Sequence, residues 1–216
     1  MIIGIIYKIV LLLTAIKAYN LSRKLSLSAQ NYLLIYLVVS LLTDLISFLF
    51  YIYYPDSKIG ILYNLYNIFC ILFFSFYFSK VLLNNLKKIS FLIAVISLLL
   101  ILLFTNFLSS DFDKNIGITL LSFYIINSLL WFYQKVSFFD EDKITNDSTF
   151  WIATALIMWS CFFLFRVTPM FYFEKEDEEF LQFLRRGQNI INIGMYIMFY
   201  VSLKKYERLN DGAYSR

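Results

Sequence analysis

The chain has 216 residues, of which 60% are hydrophobic, 20% aromatic and only 16% charged, with a formal net charge of +4. A soluble domain of this size could not bury so much apolar surface, so the composition predicts an integral membrane protein. Because the chain contains no histidine, His-based catalytic triads and HExxH zinc sites are excluded, and we predict neither a metal site nor a cofactor.

Seven apolar runs follow one another along the chain, each about as long as the roughly 20 residues that cross a bilayer. They lie at about 2–20, 31–54, 59–83, 89–109, 116–134, 149–173 and 180–203. The first run lacks the basic stretch and the small-residue cleavage site of a signal peptide, so we interpret it as a span. The short connections make neighbouring helices antiparallel. The sequence therefore predicts one all-α domain over 1–216, a polytopic seven-transmembrane-helix bundle.

Lysine and arginine residues predict the orientation of this bundle. Twelve of them lie in or beside the odd-numbered connections and in the C-terminal tail: Lys17, Arg23, Lys24, Lys80, Lys87, Lys88, Lys135, Lys143, Lys204, Lys205, Arg208 and Arg216. About five lie towards the other side: Lys58, Lys114, Lys175, Arg185 and Arg186. This bias predicts that the N-terminus is outside and the C-terminus is in the cytoplasm.

Most polar side chains within the predicted spans lie in the outer half. Asp44, in the stretch LLTDLISFLF, is the only acid clearly inside a span. Helical spacing predicts one polar stripe on each of three helices: Ser40, Asp44, Ser47 and Tyr51; Asn64, Asn67 and Cys70; and Arg185, Asn189, Asn192 and Tyr196, flanked by Gln188. Because lipid would leave these groups unpaired, we expect the stripes to face one another.

Arg166, on the sixth span at a depth similar to that of Asp44, leaves two interpretations open. The two residues form a structural ion pair, or they line an outward-opening pocket. In the second case three guanidinium groups exceed one carboxylate, which favours an anionic ligand. The predicted ligand-binding residues are then Asp44, Asn64, Asn67, Arg166, Arg185, Arg186, Gln188, Asn189 and Asn192. Hydrogen bonding between helices is the alternative role of the asparagines.

The acidic stretch FEKEDEEF at 173–180 is expected to cap the outer end of the seventh span, where negative charge suits the helix dipole. A lid or a docking strip for a basic partner is the alternative. Its acids lack the Asp/Asn/Gly spacing of a calcium loop.

These features favour a receptor-like or accessory membrane protein. Its outward half-pocket would bind an anionic small molecule, a lipid headgroup, a partner membrane protein or a second copy of the chain, and its output would pass through another protein. Retinal binding is excluded because residues 189–203 contain no lysine. An intramembrane lipid-modifying enzyme of lysoplasmalogenase-like size, using Asp44, is an alternative, although one carboxylate is a small catalytic set. A small transporter is a further alternative, disfavoured because no repeat is visible. Nucleic-acid binding is not predicted.

The composition, rich in Ile, Phe, Tyr, Asn and Lys, and the stretches YNLYN and STFWIATALIMW resemble those of small seven-span inner-membrane proteins of low-GC Bacteroidota-type bacteria. The resemblance implies a multi-pass protein of the bacterial inner membrane, and it transfers no functional residues.

Overall fold

The computed structural model describes residues 2–25, 28–54, 58–138, 143–176 and 178–214. Within these ranges all regular structure is helical: α1 (Ile2–Lys24), α2 (Ala29–Tyr53), α3 (Gly60–Val81), α4 (Asn84–Phe104), α5 (Lys114–Ser137), a 3-10 turn (Ile144–Asn146), α6 (Ser148–Glu176) and α7 (Glu178–Tyr214). The side chains of residues 2, 84, 167–176, 178, 181, 185 and 211–214 lie outside the description. The acidic stretch at 173–180 falls mostly on these residues, so the role predicted for it cannot be compared with the described structure.

Six helices, α1 to α6, are long and apolar enough to cross a membrane. Their outward faces are apolar as well, since Ile9 of α1, Leu45 of α2 and Leu103 of α4 are 51%, 53% and 73% exposed. Such a surface suits lipid and not water. The prediction of an all-α, multi-pass membrane protein is confirmed in this form.

The seventh helix, α7, differs from the other six in its polarity. Its uncharged stretch, residues 187–203, lies between arginines and lysines and contains Gln188, Asn189 and Asn192, which lower its hydropathy. Even so, α7 packs closely against both α1 and α6, and more lightly against α2. The polar residues of α7 are explained by what this helix faces, as described below.

Six helices form a ring, and α4 lies outside it. Around the ring the neighbours are α1, α2, α3, α5, α6 and α7, and α7 packs back against α1. Helix α4 packs on α3 and α5. The Ser90 hydroxyl of α4 donates a hydrogen bond to Asn127 Oδ1 of α5, and Asn127 Nδ2 donates to the Phe123 carbonyl at 2.9 Å. Asn127 therefore joins two helices, as expected for hydrogen bonding within a membrane bundle.

The end of the ring where α1 ends and α2 begins, here called the closed end, is tied together by polar contacts. Gln30 Nε2 of α2 donates to Ser148 Oγ of α6 at 2.8 Å and to the Tyr77 hydroxyl of α3 at 3.2 Å. Lys17 of α1 forms an ion pair with Glu207 of α7. The cavity described below lies towards the opposite end, where α1 begins and α2 ends.

Candidate functional site

A partly open cavity of about 450 Å³ lies among the six ring helices, in the half of the bundle opposite the closed end. Its volume is within the range of small-molecule sites, roughly 300–1,000 Å³. The lining residues come from all six ring helices and from the α4–α5 loop: Tyr7, Tyr36, Ser40, Thr43, Asp44, Tyr63, Tyr66, Asn67, Cys70, Phe112, Leu120, Tyr124, Trp159, Phe163, Arg166, Gln188, Asn189, Asn192, Met195 and Tyr196.

We call this cavity the main cavity. Its floor is a layer of packed aromatic rings. Tyr36, Tyr124 and Tyr196 are each at most 5% exposed. Phe74, one turn further along α3 than Cys70, is fully buried. Its ring centroid lies 5.1 Å from that of Tyr36 and 5.0 Å from that of Tyr124. Edge-to-face pairs of this kind stabilise a dense layer, so the cavity ends near mid-bundle and is not a pore through the protein.

Helices α6 and α7 provide a wall in which polar and aromatic groups are interlocked. Asn192 Oδ1 accepts hydrogen bonds from Trp159 Nε1 at 2.8 Å and from Gln188 Nε2 at 3.1 Å. The Trp159 indole in turn stacks on Phe163, with ring centroids 4.8 Å apart. Gln188 Oε1 is buried and accepts no hydrogen bond from the described residues. The wall therefore holds a packed aromatic surface and contains one buried acceptor, Gln188 Oε1, that the described residues leave without a hydrogen bond.

Asp44 lies in the cavity wall between α1 and α3. Its Oδ2 atom accepts a hydrogen bond of 2.6 Å from the Tyr7 hydroxyl of α1. One turn further along α2, Ser47 and the Tyr63 hydroxyl of α3 are 2.6 Å apart. Asp44 is thus held by the phenol hydroxyl of a neighbouring helix, and this hydrogen bond offsets part of the desolvation free energy of a carboxylate within the bundle.

Arg166 lines the same cavity, with its guanidinium carbon 5.7 Å from the centre of the Phe163 ring. The ion pairs that the structure describes do not include one between Asp44 and Arg166. Among the described contacts, Asp44 and Arg166 therefore do not form the structural ion pair of the first interpretation. The two charges share a cavity instead.

Asn64, one of the predicted ligand-binding residues, is fully buried and does not line the cavity. Its Nδ2 donates to the Asp111 carbonyl at 3.1 Å, and its Oδ1 accepts from the Asp113 amide at 3.0 Å. Gly60, one turn earlier, lies directly against the Asp111 backbone. Asn64 therefore holds the α4–α5 loop on the start of α3, and this loop places Phe112 in the cavity wall.

The charge of the cavity differs from the sequence-based expectation of three arginines against one acid. Of the predicted arginines, only Arg166 belongs to the described lining. Arg186 is exposed and lies off the cavity, and the side chain of Arg185 lies outside the description. Within the described lining one acid, Asp44, is matched by one base, Arg166. The excess of positive charge that favoured an anionic ligand is absent from this lining.

Six predicted ligand-binding residues line the cavity together: Asp44, Asn67, Arg166, Gln188, Asn189 and Asn192. Sequence reasoning placed Tyr196 on a polar stripe but missed the rest of the aromatic lining, because tyrosine and phenylalanine are common throughout the chain. On α3 the cavity stripe is Tyr63, Tyr66, Asn67 and Cys70, at i, i+3, i+4 and i+7. Asn64 lies off this stripe. The helical spacing of the aromatic residues was the signal that could have identified this cavity-lining stripe of α3.

Comparison of the chain with protein-family models, with curated proteins and with solved structures finds no match.

Proposed function

We propose that this protein is a receptor-like or accessory integral membrane protein whose main cavity binds a small polar ligand. The observation that carries the proposal is the cavity itself, lined by all six ring helices and combining Asp44, Arg166 and amide side chains with an aromatic floor. Because ligand contacts would reach every ring helix, binding would alter their relative packing, and a partner membrane protein would receive the signal.

The proposed topology has seven spans in a bacterial inner membrane, with the N-terminus outside and the C-terminus in the cytoplasm. The close packing of α7 against α1 and α6, both apolar enough to cross a membrane, supports α7 as the seventh span. The distribution of lysine and arginine supports the orientation. With this topology the main cavity faces the outside.

The ligand proposal is tested by purifying the full chain in a mild detergent and identifying bound small molecules, lipids and proteins by mass spectrometry. A compound that copurifies with the protein should lose affinity by about 10- to 100-fold in Asp44→Asn or Arg166→Gln, since one charge-assisted hydrogen bond contributes roughly 1.5–3 kcal/mol. Arg186→Gln is the matched control, because Arg186 is exposed and off the cavity. Equal loss in Arg166→Gln and Arg186→Gln, or no bound compound at all, would contradict the proposal.

A specific contact supports a second candidate, the lipid-modifying enzyme. Catalysis by Asp44 needs a second proton-transfer group within hydrogen-bond reach, and the Tyr7 hydroxyl lies 2.6 Å from its Oδ2 atom. Asp44-dependent cleavage of lysophospholipids added to the purified protein would distinguish this candidate from ligand binding.

A further inference from the structure

A second cavity, of about 340 Å³, lies beside the main one and is formed by α1, α2 and the start of α3. We call it the side cavity. It shares Tyr7, Asp44 and Tyr63 with the main cavity. These residues therefore form a thin wall with a cavity on each side, held by the bonds of Tyr7 to Asp44 and of Tyr63 to Ser47.

The side cavity is lined by a cation, Lys8, that is not among the residues lining the main cavity. Lys8 of α1 lines it, with Nζ 4.6 Å from the centre of the Phe48 ring of α2. In the part of the chain that the structure describes, no carboxylate forms an ion pair with Lys8. The outer edge of the side cavity carries Tyr51 and Tyr54, which are 73% and 61% exposed. An ammonium group in a cavity that is also lined by tyrosines is suited to a phosphate group.

The same cavity also presents a carboxylate, on the shared wall. The hydrogen bond that the structure describes for Asp44 goes from Tyr7 to its Oδ2 atom, which leaves Oδ1 as the carboxylate oxygen without a described hydrogen bond. A purely anionic ligand would approach this carboxylate at an electrostatic cost. A ligand with one phosphate and one ammonium group matches both charges, and the rings of Tyr7 and Tyr63 favour a cation next to Asp44.

The surroundings of the side cavity indicate that such a ligand is a lipid. Lys8 is six residues from the start of α1, about 9 Å along the helix. If α1 spans the bilayer, Lys8 therefore lies in the half of the membrane where α1 begins, and its long side chain can extend towards the lipid headgroups. The flanking helix surfaces are apolar and exposed, with Ile5 at 51% and Ile52 at 53%. Acyl chains would lie on these surfaces while the headgroup turns inward.

We propose that the side cavity binds a zwitterionic phospholipid with a primary ammonium group, with its phosphate on Lys8 and its ammonium on Asp44. This proposal rests on the proposed membrane topology and adds a lipid site next to the ligand site. Three N–H donors let the primary ammonium bond to Asp44 Oδ1, which the quaternary ammonium of a choline lipid cannot do. The lipid would stabilise the wall between the two cavities.

Native mass spectrometry of the full chain in mild detergent, with phosphatidylethanolamine, phosphatidylcholine and phosphatidylglycerol added at equal concentration, tests this proposal. We expect phosphatidylethanolamine to bind most tightly. Lys8→Gln should weaken it by about 10-fold, the cost of one charge-assisted bond, whereas Lys8→Arg should retain it. Asp44→Asn should abolish the preference for ethanolamine over choline. Lys58→Gln, at the same end of the bundle and off both cavities, is the control.

Three outcomes would overturn the lipid site: equal affinity for the three lipids, no effect of Lys8→Gln, or binding of soluble phosphoethanolamine as strong as that of the lipid. A bound compound that depends on Arg166 and not on Lys8 would leave the main cavity as a ligand site and remove the lipid site. A lipid that depends on Lys8 and not on Arg166 would support the lipid site even if the main cavity bound nothing.

Discussion

Replacing Gly60 with alanine is expected to destabilise the protein by about 3 kcal/mol, because the added methyl group would overlap the backbone of the α4–α5 loop. A Cβ atom at this position would lie 2.1 Å from the Asp111 carbonyl carbon and 2.4 Å from the Phe112 amide nitrogen. Backbone atoms cannot rotate away as a side chain can, so the α4–α5 loop must move off the start of α3. Phe112 would move with it, and one wall of the main cavity would open.

The measurement is the free energy of unfolding in mixed micelles, followed by circular dichroism. Gly4→Ala is the matched control, since a Cβ there meets only Asn189 Nδ2, at 3.8 Å. Alanine at position 4 should be neutral or stabilising by up to about 1 kcal/mol, the difference in helix propensity. Equal stability of the two variants would contradict the described position of the loop.

The second large effect is expected for Asn192→Leu, which removes the acceptor shared by Trp159 and Gln188. Two partly buried N–H donors then lose their partner, and we expect a loss of about 2 kcal/mol. The wall between α6 and α7 would also lose the group that orients the Trp159 indole.

A double-mutant cycle isolates this contact. Trp159→Phe removes the indole N–H and keeps an aromatic ring, so Asn192→Leu should cost at least about 1 kcal/mol less in that background than in the native chain. Strict additivity of the two changes would show that Asn192 does not hold Trp159 in place.

Apolar runs of bilayer-spanning length were sufficient to predict the helices, because a membrane helix must satisfy its own backbone and show apolar side chains to lipid. The same rule explains why six of the nine predicted site residues share one cavity: polar groups in spans turn away from lipid. Asn67 and Asn189 were predicted on this ground alone. The positions of individual helices were not predictable, and α4 shows why. Its apolar stretch carries two buried polar residues, Ser90 and Ser97. Ser90 bonds to Asn127 of α5, so α4 can pack outside the ring, on α3 and α5.

The charge balance of the cavity depended on details that spacing along a helix does not determine. Arg186 is next to Arg185 in sequence, but consecutive residues on a helix differ by about 100° in direction, so their adjacency does not place both on the cavity face. Arg186 is exposed and lies off the cavity. Asn64 was assigned to the site because it is three residues from Asn67. Its partners, the backbone groups of Asp111 and Asp113, belong to a loop 47 and 49 residues away. Such long-range contacts cannot be read from one sequence without a fold.

A polar cavity that opens at the end of the bundle where α1 begins should face the outside. Labelling of single cysteines with a charged, membrane-impermeant thiol reagent in intact cells tests this directly, in a Cys70→Ala, Cys161→Ala background. Asn189→Cys reports on the cavity. Ser110→Cys and Ser137→Cys, at exposed positions of the two opposite ends, report on orientation. We predict that Ser110→Cys and Asn189→Cys are labelled and that Ser137→Cys is labelled only after the cells are lysed. Labelling of Ser110→Cys without Asn189→Cys, even after lysis, would contradict an open cavity, and labelling of Ser137→Cys in intact cells would contradict the orientation.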